Sequence, residues 1–201
     1  VSTRMRVDDS IDGSMIKNMK LSSGPRVEFK PISEYRKSMD RIFNRKEISV
    51  QIREILKQCD CAIIRLPSFI GRIACKEAQR MGKPYLVEVV GCAWDALWNH
   101  GSVAGKALAP YSFLRTRGLI SKSKYTIYIT KEFLQSRYTS YGKTCICPNV
   151  NIEQVSSQIL DDRIKKIENK EEQDVIVFGL VGSLDVAYKG HEIVIKAFSV
   201  I

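Results

Sequence analysis

The chain has 201 residues, 44% of them hydrophobic and 27% charged, enough apolar material to exclude a disordered tail or a low-complexity linker. Thirty-two Lys and Arg stand against 22 Asp and Glu, a net charge of +10 at neutral pH. That length fits one large domain, or one domain with part of another.

In chain order, residues 27–32 read as a strand, and Ile48, Ile52, Ile55 and Leu56 recur at helical spacing. Residues 61–66 read as a buried strand stopped by Pro67. Ser68 then caps a helix that carries Ala74, Ala78 and Met81 and ends at Gly82. Residues 84–90 are almost continuously apolar, which suits a parallel sheet buried on both faces. A long, basic, weakly apolar stretch occupies residues 104–120. A strand at 125–129, a helix at 131–141 and a short strand at 144–147 follow, closed by Pro148. Strands separated by helices predict βαβ units and a doubly wound α/β sheet.

In such a sheet ligands sit at the carboxyl ends of the strands. That rule points to residues 65–68, 88–95 and 130–132, with ordinary βα loops as the alternative. Glu88 interrupts an apolar strand, so its charge requires a role or an ion-pair partner. For Trp94 and Trp98, packing in the core or an interface is the alternative to a ligand contact.

After Pro148 the character changes. Residues 152–174 are polar and charged and read as an exposed helix or linker, and a new strand is predicted from Val175. It runs into Gly182-Ser183, then Lys189-Gly190, then a helix over 193–201. A strand, a glycine loop and a helix start form a phosphate cradle in outline, with a plain structural turn as the alternative: glycine allows close backbone approach, the helix start offers unpaired N–H groups, and Lys189 adds a full charge. Neither G-x-x-x-x-G-K-[ST] nor G-x-G-x-x-G is present, so this is not a Walker or dinucleotide loop.

The charge is uneven. Residues 1–57 hold 13 basic and 8 acidic side chains, residues 58–150 hold 13 and 5, and residues 151–201 hold 6 and 9. Between residues 101 and 143, eight basic residues face Glu132 alone. Nucleic acid, an anionic membrane surface and phosphorylated substrates all answer to that field, as does a plain solvated surface. Six cysteines include two C-x-C pairs, Cys59/Cys61 and Cys145/Cys147, without zinc spacing or nearby His, and read as buried free thiols; no metal is expected. No apolar run reaches about 18–20 residues and no signal-peptide core is visible, so the expected location is cytoplasmic, peripheral on the inner face of the cell membrane if it meets a membrane.

Three segments together resemble the retaining glycosyltransferases of GT-B architecture, with two Rossmann-like domains, in the large family (group 1, family 4 type) that builds bacterial polysaccharides. The most specific is residues 179–192, GLVGSLDVAYKGHE, which looks like the opening strand and diphosphate loop of the second domain. Residues 148–152, PNVNI, are similar to the interdomain segment. Residues 84–95, PYLVEVVGCAWD, with the preceding RLPS at 65–68, look like the acceptor-side wall of the first domain. The resemblance covers most of residues 58–201, and residues 1–57 match loosely.

It implies an acceptor-side Rossmann-like domain over 1–150 that lacks its first strand, a linker or helix over 151–174, and the start of a nucleotide-sugar-binding domain over 175–201. It further implies transfer of a sugar from a nucleotide diphosphate sugar to a glycan or lipid-linked acceptor, in capsule, exopolysaccharide or lipopolysaccharide synthesis, with retention and without cofactor or metal. Gly182, Ser183, Lys189 and Gly190 would hold the donor diphosphate. Arg65, Glu88, Gly91, Trp94 and Asp95 would line the acceptor cleft. The family commonly has Arg where Ser183 stands, and a histidine in the region of Gly91 and Cys92. Its paired catalytic glutamates would lie beyond Ile201, so the expectation is a truncated fragment with little or no turnover. The basic first 150 residues then suggest docking on an anionic membrane rather than on nucleic acid. A dinucleotide-dependent Rossmann enzyme such as a sugar-nucleotide epimerase, and a basic nucleic-acid-binding domain, remain alternative readings of the same residues.

Overall fold

The computed structural model of the chain describes residues 2–3, 24–32, 43–100, 102–150, 156–171, 175, 177–182, 184 and 189–200. Its first two strands, β1 (Ser2–Thr3) and β2 (Lys30–Pro31), pair in parallel. The strand expected over 27–32 is thus two residues long. Pro31 has no amide hydrogen to continue a ladder, and a turn at residues 24–27, with Arg26 at φ 67°, precedes it. Ile32 turns into the core.

Helix α1 (Arg45–Lys57) forms as its apolar spacing predicts, burying Ile48, Ile52 and Leu56. Strand β3 (Ala62–Leu66) stops at Pro67, and the Ser68 hydroxyl accepts the Gly71 amide at 2.9 Å to cap α2 (Phe69–Arg80). A Cβ on Gly71 would lie 2.3 Å from the Arg65 carbonyl oxygen, so only glycine lets this helix start so close to the end of β3. Strand β4 (Tyr85–Val89), the short helix α3 (Ala93–Trp98) and the 19-residue helix α4 (Val103–Ser121) follow. Next come β5 (Tyr125–Tyr128), α5 (Phe133–Arg137) and β6 (Lys143–Ile146). The helix expected over 131–141 is five residues long. The Thr130 hydroxyl accepts the Leu134 amide at its start, and Tyr138, held in the core, leaves helical geometry at its end.

The architecture is α/β. Strands β3, β4, β5 and β6 form one parallel sheet in sequence order, with Arg65 opposite Glu88 and Val87 opposite Thr126. The reversal of strand order that makes a sheet doubly wound is not among these four strands. Parallel connections are right-handed, so consecutive crossovers in one direction place their helices on one face. Burial agrees: Ile64, Leu66, Val87, Val89, Thr126 and Tyr128 are buried on that face. On the other, Ile63 is 74% exposed, while Leu86, Glu88 and Ile127 are half-buried. The expectation of a sheet buried on both faces therefore fails among the described residues, because all the helices here that pack on the sheet cover a single side.

Beyond this sheet, α6 (Ser157–Glu168) confirms a helix in the polar stretch and is exposed throughout. Of the strand expected from Val175, the described residues 175 and 177–181 carry no ladder, and Val177 and Val181 are 85% and 99% exposed. A strand needs a partner for its backbone, and none of the described residues pairs with this segment. Helix α7 (His191–Phe198) does form. The cysteines are all free, but Cys61, Cys145 and Cys147 are exposed rather than buried, since they lie at or beside the edge strands. Cys75 and Cys92 are the buried ones, and desolvation pushes the Cys75 thiol up to about 12.

One buried charge joins the helices. Glu77 of α2 is 1% exposed and accepts from Ser49 (2.7 Å) and Arg53 (3.0 Å) of α1 and from Arg80 (2.7 Å). Burial pushes its carboxyl upward, but those hydrogen bonds and the charges of Arg53 and Arg80 outweigh it and hold the group below its usual 4.5. A depressed carboxyl contributes stability above its unfolded-state value and loses it as pH falls through its folded-state value. Both arginines reach water, so removing the carboxylate strands no buried cation. Glu77→Gln should therefore cost about 2 kcal/mol at pH 7, and urea unfolding across pH should show the gap to the wild type closing as the solution is acidified below about pH 4.

Candidate functional site

The carboxyl ends of β4 and β5 converge on a compact cluster. Strand β4 ends at Val89, and the chain turns through Gly91 and Cys92 into α3, whose first residues are Ala93, Trp94 and Asp95. Tyr138, fully buried, reaches back from behind α5: its hydroxyl oxygen accepts the Ala93 amide at 2.7 Å and its hydroxyl lies 3.7 Å from the Cys92 sulfur. The Tyr128 hydroxyl donates to the Tyr138 carbonyl. Burial is the main force pushing the Tyr138 phenol well above its ordinary range, so it stays a neutral donor.

Arg137 projects beside Tyr138. Its Nη1 lies 3.4 Å from Asp95 Oδ1 and 3.4 Å from the Cys92 sulfur. Asp95 is thus oriented by a guanidinium while remaining partly open, able to accept a hydroxyl from a ligand. The two tryptophans, four residues apart on α3, stack at 5.3 Å. Trp94 also meets the edge of Phe113 of α4 at 6.2 Å, which leaves Trp98 the more exposed ring, 43% exposed, with Lys106 Nζ 5.9 Å from its centroid. The flat surface expected of Trp94 is therefore largely taken up by packing, and Trp98 presents the open one.

Arg65 and Glu88 do meet, as neighbours in register on β3 and β4, through a 2.8 Å bond from Arg65 Nε to Glu88 Oε2. They lie on the open face of the sheet, beside rather than within the α3 cluster. Gly91 sits where an added Cβ would touch nothing within 4 Å, so the space above the turn is open. Of the five acceptor-side candidates, Gly91, Trp94 and Asp95 share one cluster and Arg65 and Glu88 form an adjoining pair. Sequence reasoning missed Arg137 and Tyr138, which lie about 45 residues from their partners. Trp98, for which packing was weighed against a ligand contact, was not among the acceptor-side candidates, although its i, i+4 spacing from Trp94 was a signal.

In the second region Gly190 caps α7 at φ 82°, a left-handed conformation that favours glycine. A Cβ on Gly182 would come within 3.3 Å of Lys189 and His191 side-chain atoms, so Gly182 lies against Lys189, His191 and the start of α7. Ser183 lies outside the described residues, as do residues 151 and 152 of the PNVNI segment. At the far side of α7's first turn, Glu192 and Lys196 pair at 2.6 Å, the hydrogen bond lowering the carboxyl and raising the ammonium. Among the described residues no three His, Cys, Asp or Glu side chains gather as a metal site, and no helix is long and apolar enough to cross a membrane.

The chain is 36% identical over 195 residues to Protein CapJ of Staphylococcus aureus, in an alignment that takes in 96% of this chain and 46% of CapJ. The chain thus spans less than half the length of that relative. No model of a known protein family matches it, and no solved structure matches it.

Tyr138→Phe strands the buried Ala93 amide and should lower stability by about 1–3 kcal/mol in urea unfolding. By contrast, a double-mutant cycle on Arg65 and Glu88, where Arg65 is 60% exposed, should give a coupling below about 1 kcal/mol. A larger coupling would mean that the pair is more shielded from water than its exposure indicates.

Proposed function

We propose that this chain is the acceptor-side region, with the beginning of the donor-side region, of a glycosyltransferase that acts in capsule or a related polysaccharide synthesis. The observation that carries the reading is the similarity to CapJ along nearly the whole chain, whose name we read as that of a capsule protein. A parallel sheet with an aromatic and carboxylate cluster at its strand ends is consistent with sugar binding: a ring such as Trp98 can stack on the C–H face of a sugar while Asp95 accepts its hydroxyls.

In this reading the reaction moves a sugar from a nucleotide diphosphate sugar to a glycan or lipid-linked acceptor, with retention. Lys189 would neutralise the departing diphosphate, and the backbone amides around Gly182, Ser183, Gly190 and the start of α7 would share its charge. Arg65, Glu88, Gly91, Trp94 and Asp95 would bound the acceptor cleft, with Trp98 adding the open ring. Arg137 would act as a positioning residue by holding Asp95.

The test is transfer by the full-length protein from a panel of nucleotide sugars. Lys189→Ala should slow it by about 100-fold, the scale of losing one cationic or oxyanion contact to a leaving group. An unchanged rate would remove Lys189 from the diphosphate site.

A further inference from the structure

Helix α4 has a composition that its position does not explain. It carries no acidic residue, and none occurs anywhere between Asp95 and Glu132. Its inner face buries Gly105, Ala109, Thr116 and Ile120 against the fold. An outer face of a surface helix is ordinarily polar, yet here Val103, Tyr111 and Leu114 are 84%, 56% and 63% exposed. At 100° per residue these three and Ala107 form one outward stripe, with Lys106 and Arg117 along one border and Arg115 along the other. An apolar stripe bordered by long cations is the pattern of a helix lying in the plane of a membrane interface, where Lys and Arg stems extend along apolar surface and their heads reach phosphates.

A second observation lies beside it. Between α2 and α4 runs a groove of about 900 Å³ with Ile73, Leu108 and Leu119 in its lining and Arg45, Arg72, Lys76, Arg115 and Lys122 around them; none of its lining residues is acidic. Like charges gathered on a partly apolar cleft repel one another, and the Lys76 ammonium is lowered accordingly, by burial and then by Arg115, Arg45, Arg80 and Arg72. Thr116, on the α4 wall, has a fully buried hydroxyl with no hydrogen-bond partner among the described residues. A phosphate group would relieve the repulsion and could take that hydroxyl.

We propose that α4 and the α2–α4 groove form a docking surface for an anionic phospholipid bilayer, with the stripe at the headgroup boundary and a lipid phosphate drawn into the groove. Charge favours this occupant over a second copy of the chain, because a twofold contact would set Lys106, Arg115 and Arg117 against their own equivalents. The inference does not depend on the transferase reading, since its readout is binding and not turnover.

The experiment is co-sedimentation of the full chain with vesicles of phosphatidylcholine alone and of phosphatidylcholine with phosphatidylglycerol at roughly 3:1. Binding should be at least about tenfold stronger to the anionic vesicles and should weaken as salt rises. Lys76→Ala with Arg115→Ala should reduce it by roughly tenfold or more, while Lys165→Ala with Lys166→Ala on α6, an equal change in net charge, should leave it unaltered. Leu114→Ser, at an exposed position that the fold does not need, should weaken binding to anionic vesicles as well. Equal binding to both vesicles, an unaffected Leu114→Ser, or equal losses in the two charge variants would each overturn the proposal. So would a dimer in sedimentation equilibrium that Leu114→Ser dissociates, or thermal stabilisation by inorganic phosphate without any vesicle binding.

Discussion

The geometry of the strand ends depends on one buried tyrosine. Tyr138 accepts the first amide of α3, lies against the Cys92 sulfur, receives the Tyr128 hydroxyl at its own carbonyl and packs its ring 5.1 Å from Phe113 of α4. Four elements that share no local sequence are thereby fixed to one another. Helix α3 is too short to be stable by itself, and its direction is set by that amide bond and by the aromatic contacts around it. The positions of Trp98 and Asp95 thus derive from Tyr138.

A second constraint is the one-sided sheet. Consecutive right-handed crossovers put α2, α3, α4 and α5 on a single face, and that face holds the core. The opposite face shows Ile63 largely exposed and Leu86 and Ile127 half-buried, crossed by the Arg65–Glu88 pair. Burying that pair completely would carry a desolvation cost, whereas at a partly open surface it is nearly neutral. The ion pair therefore sits where the sheet can tolerate charge, which is why Glu88 is compatible with an apolar strand and needs no catalytic role to explain it.

How much of this was legible in the sequence followed the range of the interactions. Pro67, Ser68 and Gly82 act on their immediate neighbours, so the β3–α2 turn and the end of α2 are readable residue by residue. Ile48, Ile52 and Leu56 lie on one stripe, so α1 is readable too. Helix α4 has apolar residues on both its inner and outer faces, so periodicity alone gives only a weakly apolar stretch and no firm helix. The strand expected from Val175 had the right composition but finds no neighbour to pair with among the described residues, a condition composition cannot report. The site divided in the same way: Gly91, Trp94 and Asp95 are contiguous and were found together, while Arg137 and Tyr138 join them only through folding.

Burial and pairing also decide what the net charge means. Residues 58–150 contain five acids, Asp60, Glu77, Glu88, Asp95 and Glu132. Three of them are engaged with arginines: Glu77 with Arg53 and Arg80, Glu88 with Arg65, and Asp95 with Arg137. Each pairing lies on α1, α2, the open face of the sheet or the strand-end cluster, and none lies on α4. Those three acids hold helices and strands in place, and none of these pairings puts a carboxylate beside the cations of α4. With no acid in α4 and none among the described residues lining its groove, the cations there set a potential of one sign, and at physiological ionic strength such a field reaches about 8 Å into solvent.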